Sequence, residues 1–315
     1  MKFNIVGIGE VLWDLLPSGM KLGGAPANFA GHAHALGAEA RVVTRVGQDG
    51  LGTDIFKHLE GHGIVCNTVQ IDPLAATGMV TVTLSEQGIP QYIIHENAAW
   101  DRLAVTPAAE AAIAAADAIC FGSLAQRSEV ARQTIQQLVA TAPLGTLRVF
   151  DINLRQKYYT RAIIEQSLRL ANVLKLNDGE LPVLAEEFGL VGTPRDMMQN
   201  LAATFELDVV ALTRGPAGSL LLQNGQWSDC PSEPTKVVDT VGAGDAFTAA
   251  LIMGLLRKMP LEEINYFADE VARFVCGFAG ATPPLPDRFA QRLVRPDDTH
   301  PKGATPTLPF TSLKF

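Results

Sequence analysis

Short apolar runs alternate with helix-patterned segments along most of the chain. Helical spacing of apolar residues occupies 26–36 and 52–60, and the strand-like runs are NIVGIG, RVVTRVG, DAICFGS, LRVFDIN, NVLKLN and DVVALTRG. Strands that are separated by helices are typical of parallel crossover units. The pattern therefore predicts an α/β fold with a doubly wound, mostly parallel sheet flanked by helices.

One region departs from this alternation. Between Val65 and Trp100, strand signals such as TGMVTVTLSEQG and IPQYIIHE follow one another without an intervening helix. We interpret 12–22 and 65–100 as a small antiparallel β-sheet inserted into an α/β body formed by 1–11, 23–64 and 101–295. The proline-rich segment 296–315 predicts an irregular C-terminal tail.

Composition and charge narrow the class of protein. The 315 residues are 47% hydrophobic and 18% charged, which is enough apolar material for a large core. The net charge of −8 disfavours nucleic acid as a partner, and no apolar stretch approaches the ~18 residues that a membrane span needs. The N-terminus resembles a first strand rather than a signal peptide, and the four cysteines are scattered without a C-x-x-C pair. We therefore expect a cytoplasmic protein with no nucleic-acid or membrane partner.

A glycine-rich turn precedes the most apolar helical pattern of the chain. The sequence DTVGAGD occupies 239–245, so that Gly242, Ala243 and Gly244 lie at a predicted helix N-terminus. Backbone N–H groups that are free at such a position bind anions. Asp245 lies beside them, either as a carboxylate that complements the helix dipole or as a base next to developing phosphoryl charge.

A second constellation supplies groups that suit a polyol. Gly23 and Gly24 allow the backbone to approach a ligand closely, Asn28 offers a donor and an acceptor, and Asp14 lies shortly before them. The opening Gly-Ile-Gly at 7–9 is only half of a dinucleotide fingerprint, because Leu12 stands where the third glycine is expected. A nicotinamide oxidoreductase is therefore the weaker hypothesis.

These motifs together resemble the ribokinase-like (PfkB) family of carbohydrate kinases, and the chain is most similar to the fructokinase branch. The resemblance runs from Gly7 to about Pro286, with the signatures GGAPANFA at 23–30 and DTVGAGDAF at 239–247. It implies a ribokinase-like fold in which Asp245 is the catalytic base. The backbone of 242–244 would be the anion hole for the transferring phosphoryl group, and sugar hydroxyls would be bound by Asp14, Gly23, Gly24 and Asn28.

The resemblance also implies ATP and Mg²⁺ as cofactors. The family's N-x-x-E motif, which organises Mg²⁺ and phosphates through water, falls at Asn177 and Glu180, and the ATP-contacting turn matches Thr213, Gly215 and Gly218. Relatives that use a monovalent cation ligate it near the positions of Asp239 and Val241. They often have a serine where this chain has Pro284, so K⁺ dependence stays open. The small sheet would be a lid that closes over the sugar and, in many relatives, forms a homodimer contact.

The substrate is indicated by the D-x-N-x-R sequence at 151–155, which is similar to fructokinases and 2-keto-3-deoxygluconate kinases. It makes Asn153 and Arg155 candidate sugar ligands at the carboxyl end of a strand, with Tyr92 on the lid as a further candidate. Ser123, Ala125 and Gln126 stand where ribokinases carry a glutamate, which disfavours ribose. We expect an ATP-dependent kinase that phosphorylates a primary hydroxyl of a ketohexose, with fructose favoured. A 2-keto-3-deoxygluconate kinase and a non-catalytic sugar-sensing protein on the same fold are the alternatives.

Overall fold

The computed structural model describes residues 2–16, 19–84 and 90–294, so the predicted tail 296–315 lies outside the described residues. The strands in chain order are β1 (Asn4–Ile8), β2 (Leu12–Leu16), β3 (Gly19–Gly23), β4 (Glu39–Gly47), β5 (Val69–Asp72), β6 (Gly78–Leu84), β7 (Pro90–Ile94), β8 (Ala118–Phe121), β9 (Leu147–Asp151), β10 (Val173–Asn177), β11 (Val209–Thr213), β12 (Ser219–Gln223) and β13 (Gln226–Cys230). The helices are α1 (Ala25–Ala35), α2 (Gly50–Gly61), α3 (Pro107–Ala114), α4 (Glu129–Ala140), α5 (Arg161–Leu170), α6 (Leu181–Phe188), α7 (Pro194–Phe205), α8 (Ala243–Leu256), α9 (Leu261–Cys276) and α10 (Asp287–Arg292). Three short 3-10 helices cover Ala99–Arg102, Leu124–Arg127 and Gly215–Ala217.

The large sheet confirms the predicted doubly wound architecture. Its nine strands follow the order β13-β12-β11-β10-β9-β8-β1-β4-β5, and only the pairs that involve β12 and β13 are antiparallel. Alternate residues of each strand pack on opposite faces, as Val209 and Ala211 do against Val210 and Leu212. Apolar residues of α1, α8 and α9 cover one face, and those of α3 to α7 cover the other.

The small sheet has the order β3-β2-β6-β7, and we call these four strands the lid sheet. The prediction of an antiparallel sheet was wrong for one pair, since β2 and β6 are parallel. Both strands start where the chain leaves the body, with Leu12 opposite Gly78, and they therefore run outward in the same direction.

The predicted range 65–100 for the small sheet was too long. The strand β5 pairs in parallel with β4 and forms the edge of the large sheet, where the buried Asp72 carboxylate lies 2.9 Å from Arg45 Nε. At the other end of the range, Trp100 is 1% exposed within the body's core. The second segment of the lid sheet therefore starts with β6 at Gly78 and ends with β7 at Ile94.

Side chains of the body bind the backbone of β7 and of the residue that follows it. Gln156 Nε2 donates to the Tyr92 carbonyl at 2.6 Å, Tyr158 Oη to that of Ile94 at 3.2 Å, and Arg127 Nη2 to that of His95 at 2.6 Å. These bonds seat the lid sheet on the body without using the side chains of the lid.

The carboxyl ends of the central strands converge on one edge of the large sheet. The chain proceeds from β1 to β4 on one side and later from β8 to β11 on the other, which makes the β1–β8 boundary a topological switch point. Ligands bind outside the strands at such a point. No helix in the described part of the chain is long and apolar enough to cross a membrane, and none of the four cysteines is in a disulfide.

Candidate active site

The N-terminus of α8 is open to a ligand. Gly242, its N-cap, has φ of 79°, and a Cβ there would overlap the Ala281 carbonyl. Among the described residues no side chain caps α8. The Ala243 N–H donates to the Thr240 carbonyl at 3.3 Å, so the first-turn N–H groups of Gly244 and Asp245 are the ones that can bind an anion. The prediction that Gly242, Ala243 and Gly244 begin a helix is confirmed.

Asp245 lies in the first turn of α8 and is held from α1. Asn28 Nδ2 donates to Asp245 Oδ2 at 2.9 Å, which joins the two sequence signatures across 217 residues. Burial, with a smaller contribution from the Asp151 charge, raises the pKa of Asp245 to about 7, against the opposing effects of Asn28, Lys175 and Arg155. Such a carboxyl group exchanges a proton readily near neutral pH, as a general base must.

Lys175, which the sequence analysis did not consider, supplies a positive charge beneath this helix end. Its Nζ lies 3.1 Å from Asp151 Oδ1, both side chains are about 7% exposed or less, and Thr248 Oγ1 donates to Asp151 Oδ2 at 2.8 Å. A Cβ on Gly244 would lie 2.9 Å from Lys175 Nζ, so the ammonium lies against the backbone of the predicted anion hole. Burial lowers the pKa of Lys175, but the Asp151, Glu180 and Asp245 carboxylates raise it more, and the lysine stays protonated.

The predicted sugar ligands Asp14 and Gly23 are in contact. A Cβ on Gly23 would overlap Asp14 Oδ2, so only glycine leaves room for the carboxylate. Burial raises the pKa of Asp14 to about 6, although the positive charge of Arg155 opposes this. Gly24, with φ of 112°, is the N-cap of α1 and brings the chain from the lid sheet back into the body.

Glu10 is another carboxylate of the candidate site, and the sequence analysis missed it. It is 3% exposed at the end of β1, and its Oε2 is buried without a hydrogen-bond partner among the described residues. Burial raises its pKa to about 7, opposed in part by the charge of Arg155. The charge of Arg155 also opposes the rise in the pKa of Asp14 and of Asp245, so this guanidinium interacts electrostatically with all three carboxylates.

The N-x-x-E residues bind backbone groups around the carboxyl ends of β9 and β10. Glu180 Oε1 accepts the Leu154 N–H at 2.9 Å, Glu180 Oε2 accepts the Asn177 N–H at 2.8 Å, and Asn177 Oδ1 accepts the Gly179 N–H at 2.9 Å. Burial raises the pKa of Glu180. No group of three or more acidic, histidine or cysteine side chains in the described residues could hold a metal ion directly. Mg²⁺ therefore fits this site as a complex with phosphates and water, not as an ion in a protein cage.

The remaining predicted site residues lie on β11, in the loops after β9 and β11, and on the lid sheet. Thr213 is opposite Asn177 in the β10–β11 register, and Gly215 follows it in a turn that the Arg214 N–H to Gly218 carbonyl bond closes at 2.7 Å. A Cβ on Gly218 would overlap the Cys230 carbonyl, so packing against β13 already accounts for this glycine. Asn153 has φ of 41° in the loop after β9. Tyr92 is 56% exposed, and its backbone carbonyl accepts the hydrogen bond from Gln156 Nε2 of the body.

Asp239 joins two loops beside the anion hole. Its Oδ1 accepts the Val241 N–H at 3.1 Å, and its Oδ2 accepts the Gly280 N–H at 3.0 Å. Burial alone would raise the pKa of Asp239, but these two donors and the charge of Lys21 lower it below its ordinary value. The carboxylate is therefore ionised and already has hydrogen-bond partners on both oxygens.

The profile of the pfkB family carbohydrate kinases matches residues 18–288 of this chain. The chain is a PfkB family carbohydrate kinase. A fructokinase from Klebsiella pneumoniae is 30% identical over 294 residues, covering 90% of this chain and 94% of that protein. A crystal structure of an uncharacterized sugar kinase from Pyrococcus horikoshii, in complex with ATP, is 26% identical and covers 92% of this chain and 100% of its own, with a TM-score of 0.78.

The same fold occurs in a solved kinase whose name gives a different substrate. The crystal structure of the 2-dehydro-3-deoxygluconokinase from Thermotoga maritima superposes with a TM-score of 0.80 at 18% identity, covering 93% of this chain and 98% of its own. The predicted family and fold are confirmed, and this PfkB protein is a phosphotransferase that acts on a sugar.

Proposed function

We propose that this PfkB kinase transfers the γ-phosphoryl group of ATP to a primary hydroxyl of a ketohexose, and that the ketohexose is fructose. The observation that carries the phosphoryl transfer is the position of Asp245. Its carboxylate is held by Asn28 at the start of an uncapped helix whose backbone lies against the Lys175 ammonium. A base, an anion hole and a buried positive charge thus converge on one point.

Each of these groups has a distinct role in the proposed reaction. Asp245 accepts the proton of the attacking sugar hydroxyl, and the N–H groups at the start of α8 stabilise the charge that develops on the phosphoryl oxygens. Lys175 adds a positive charge that needs no reorganisation, because Asp151 fixes it in place. When bound, Mg²⁺ neutralises phosphate charge; Asn177 and Glu180 order the backbone around that position.

The charge around Arg155 supports a neutral sugar over an acid sugar. The positive charge of Arg155 lowers the pKa of three carboxylates, those of Glu10, Asp14 and Asp245, and this single guanidinium therefore interacts electrostatically with all of them. A carboxylate on the substrate would have to compete with them for the two parallel hydrogen bonds that arginine can donate. Hydroxyl groups instead donate to carboxylates and accept from arginine, so a ketohexose uses the same residues without repulsion.

A coupled assay of ADP release with fructose, 2-keto-3-deoxygluconate and ribose tests this proposal. We expect fructose to have the highest kcat/KM, and Arg155→Lys to retain most of the activity because a single donor still reaches a hydroxyl. A preference for the acid sugar that Arg155→Lys abolishes would assign the alternative substrate. Sugar binding without any ADP release would favour the sugar-sensing alternative, with Asp245→Asn as the matched inactive control.

The lid sheet supports a homodimer as the second part of the proposal. Met20 is 49% exposed and Ile93 is 53% exposed, and both belong to this sheet. Apolar side chains that are grouped on an exposed face mark association surfaces. Light scattering should give the mass of a dimer for the wild type and of a monomer for Met20→Glu/Ile93→Glu; a monomeric wild type would contradict this assignment.

A further inference from the structure

Two side chains attach the loop that follows β9 to the lid sheet, and we call residues 152–158 the β9 loop. Gln156 Nε2 donates to the Tyr92 carbonyl at 2.6 Å, and Tyr158 Oη donates to the Ile94 carbonyl at 3.2 Å. Both acceptors are backbone atoms of β7, which is an edge strand of the lid sheet. The position of the β9 loop therefore depends on the position of this strand.

The residue before Arg155 is bound to the body instead. Glu180 Oε1 accepts the Leu154 N–H at 2.9 Å, and Glu180 precedes α6. The β9 loop is thus held by the body at Leu154 and by the lid sheet from Gln156 onward. Arg155 is the residue between these two attachments.

A tight turn joins Arg155 to the residues that bind the lid sheet. The Tyr158 N–H donates to the Arg155 carbonyl at 3.0 Å and closes a turn of four residues. Gln156 is the second residue of this turn, and its φ is 47°. A residue with a β-carbon rarely adopts this backbone conformation unless the contacts around it stabilise it. The bond from Gln156 to β7 is such a contact.

The ring of Tyr158 is fixed independently of its hydroxyl group. It lies 4.9 Å from Arg127 Cζ, and the Arg127 guanidinium pairs with Asp101 and donates to the His95 carbonyl after β7. The hydroxyl lies between the β7 carbonyl and Glu96 Oε1, which is 3.1 Å away. Removal of the hydroxyl alone would therefore detach the β9 loop from β7, while Arg127 would still bind the end of the lid sheet.

The side chain of Arg155 depends on its backbone for its position. Arg155 is exposed, and its guanidinium donates to the adjacent Leu154 carbonyl at 3.4 Å. Its positive charge nevertheless interacts with Asp14 of the lid sheet and with Asp245 at the start of α8. Because a long side chain loses rotamer freedom when it is ordered, a fixed backbone lowers the cost of directing it toward these two carboxylates.

We propose that Gln156 and Tyr158 are positioning residues that hold Arg155 in its sugar-binding place by attaching the β9 loop to β7. This inference rests on the proposed function, in which Arg155 binds hydroxyl groups of the sugar. The affinity for sugar then depends on two bonds that do not touch the sugar. The affinity for ATP does not depend on them, because Asn177 and Glu180 belong to the body.

The first test uses Gln156→Met, Tyr158→Phe and the double variant, which keep the size of each side chain but remove its donor. In the coupled ADP assay, each single change should lower kcat/KM for fructose by about twofold to tenfold, and the double variant by about tenfold or more. KM for ATP should stay within about twofold of the wild type. Tyr159→Phe, the same change in a neighbouring tyrosine that packs against the core, is the matched control and should have no effect.

An Arg155→Ala background separates positioning from a general structural effect. Without a guanidinium to position, removal of both donors should change kcat/KM for fructose by less than about twofold. A loss as large as that in the presence of Arg155 would overturn the inference. Wild-type kcat/KM in the double variant, or in Arg155→Ala itself, would also overturn it.

Hydrogen–deuterium exchange of the protein without substrates is a readout that needs no activity. Peptides that cover 152–158 should exchange faster in the double variant than in the wild type or in Tyr159→Phe, because the turn has lost its attachment. A wild type that phosphorylates no sugar would defeat the proposed function. In that case, unchanged exchange at 152–158 would separately overturn the attachment by Gln156 and Tyr158.

Discussion

Replacing Lys175 with methionine should damage both the stability and the catalysis of this kinase, and the two effects can be separated. Methionine keeps most of the length of the side chain but removes the charge that faces Asp151 at 3.1 Å. Asp151 would keep its bond from Thr248 but would remain as a buried carboxylate without a counter-charge. Breaking a buried pair in this way costs about 3–5 kcal/mol of the free energy of unfolding.

The double variant Lys175→Met/Asp151→Asn distinguishes the two roles. It removes both charges, so the free energy of unfolding should return to within about 1–2 kcal/mol of the wild type. The anion hole would still lack its buried positive charge, because the backbone of Gly244 would face a neutral side chain. By comparison with the loss of other fixed charge-stabilising groups, kcat should stay lower than in the wild type by about 10²–10³.

Urea unfolding and the coupled ADP assay measure the two quantities on the same preparations. Lys57→Met, whose exposed ion pair with Asp54 is at the surface, should change neither quantity appreciably. If the double variant recovers both stability and kcat, Lys175 serves only as the partner of Asp151. Normal kcat in a folded Lys175→Met would refute its catalytic role even more directly.

Three further predictions follow from the same site. The kcat/KM of the wild type should fall as the pH decreases below the pKa of Asp245, which is about 7, because the base must be ionised. Asp245→Asn should lower kcat by about 10²–10⁴, and its pH–rate profile should lack this acidic limb. Since the folded-state pKa of Glu10, about 7, exceeds its ordinary value of 4.5, its neutral form stabilises the fold at low pH and this contribution is lost as pH rises through 7. Glu10→Gln should therefore be more stable than the wild type at pH 8, by at most about 3 kcal/mol, but not at pH 4, and urea unfolding that gives the same difference at both pH values would contradict the assignment. Gly23→Ala should displace the Asp14 carboxylate and raise KM for sugar, while KM for ATP stays unchanged. Gly50→Ala is the control, because a Cβ at Gly50 would meet no atom within 4 Å. Equal changes in both KM values would show that Gly23 has only a structural role.

The large sheet and the start of α8 could be predicted from local signals. Apolar runs that are separated by helical spacing indicate parallel strands, and the glycines that precede α8 stand close together in the sequence. The extent of the lid sheet could not be predicted in this way. Nothing local to β5 shows that it pairs with β4, and the parallel direction of β6 depends on where β2 leaves the body.

Glu10 and Lys175 show why part of the candidate site escaped prediction. Each is an isolated charged residue within or beside an apolar strand, and such a residue is usually paired when it is buried. The sequence does not show which partner such a residue meets, because Lys175 faces Asp151 from the neighbouring strand. These contacts depend on strand register and on the order of strands in the sheet, both of which are tertiary properties.

The parallel pairing of β2 with β6 has a consequence for attempts to change the preferred sugar. The strands β2 and β6 are hydrogen-bonded over four consecutive register pairs, from Leu12–Gly78 to Leu15–Thr81. These two segments are far apart in the sequence, and without this pairing their substitutions could be selected independently. If only one of these segments is replaced by that of another kinase, its strand pairs with a strand of different sequence, and the cross-strand side chains do not match. A chimaera should therefore exchange 12–23 and 78–94 together. In evolutionary terms, substitutions in these two distant segments should therefore be selected together, because each segment supplies the partner strand of the other.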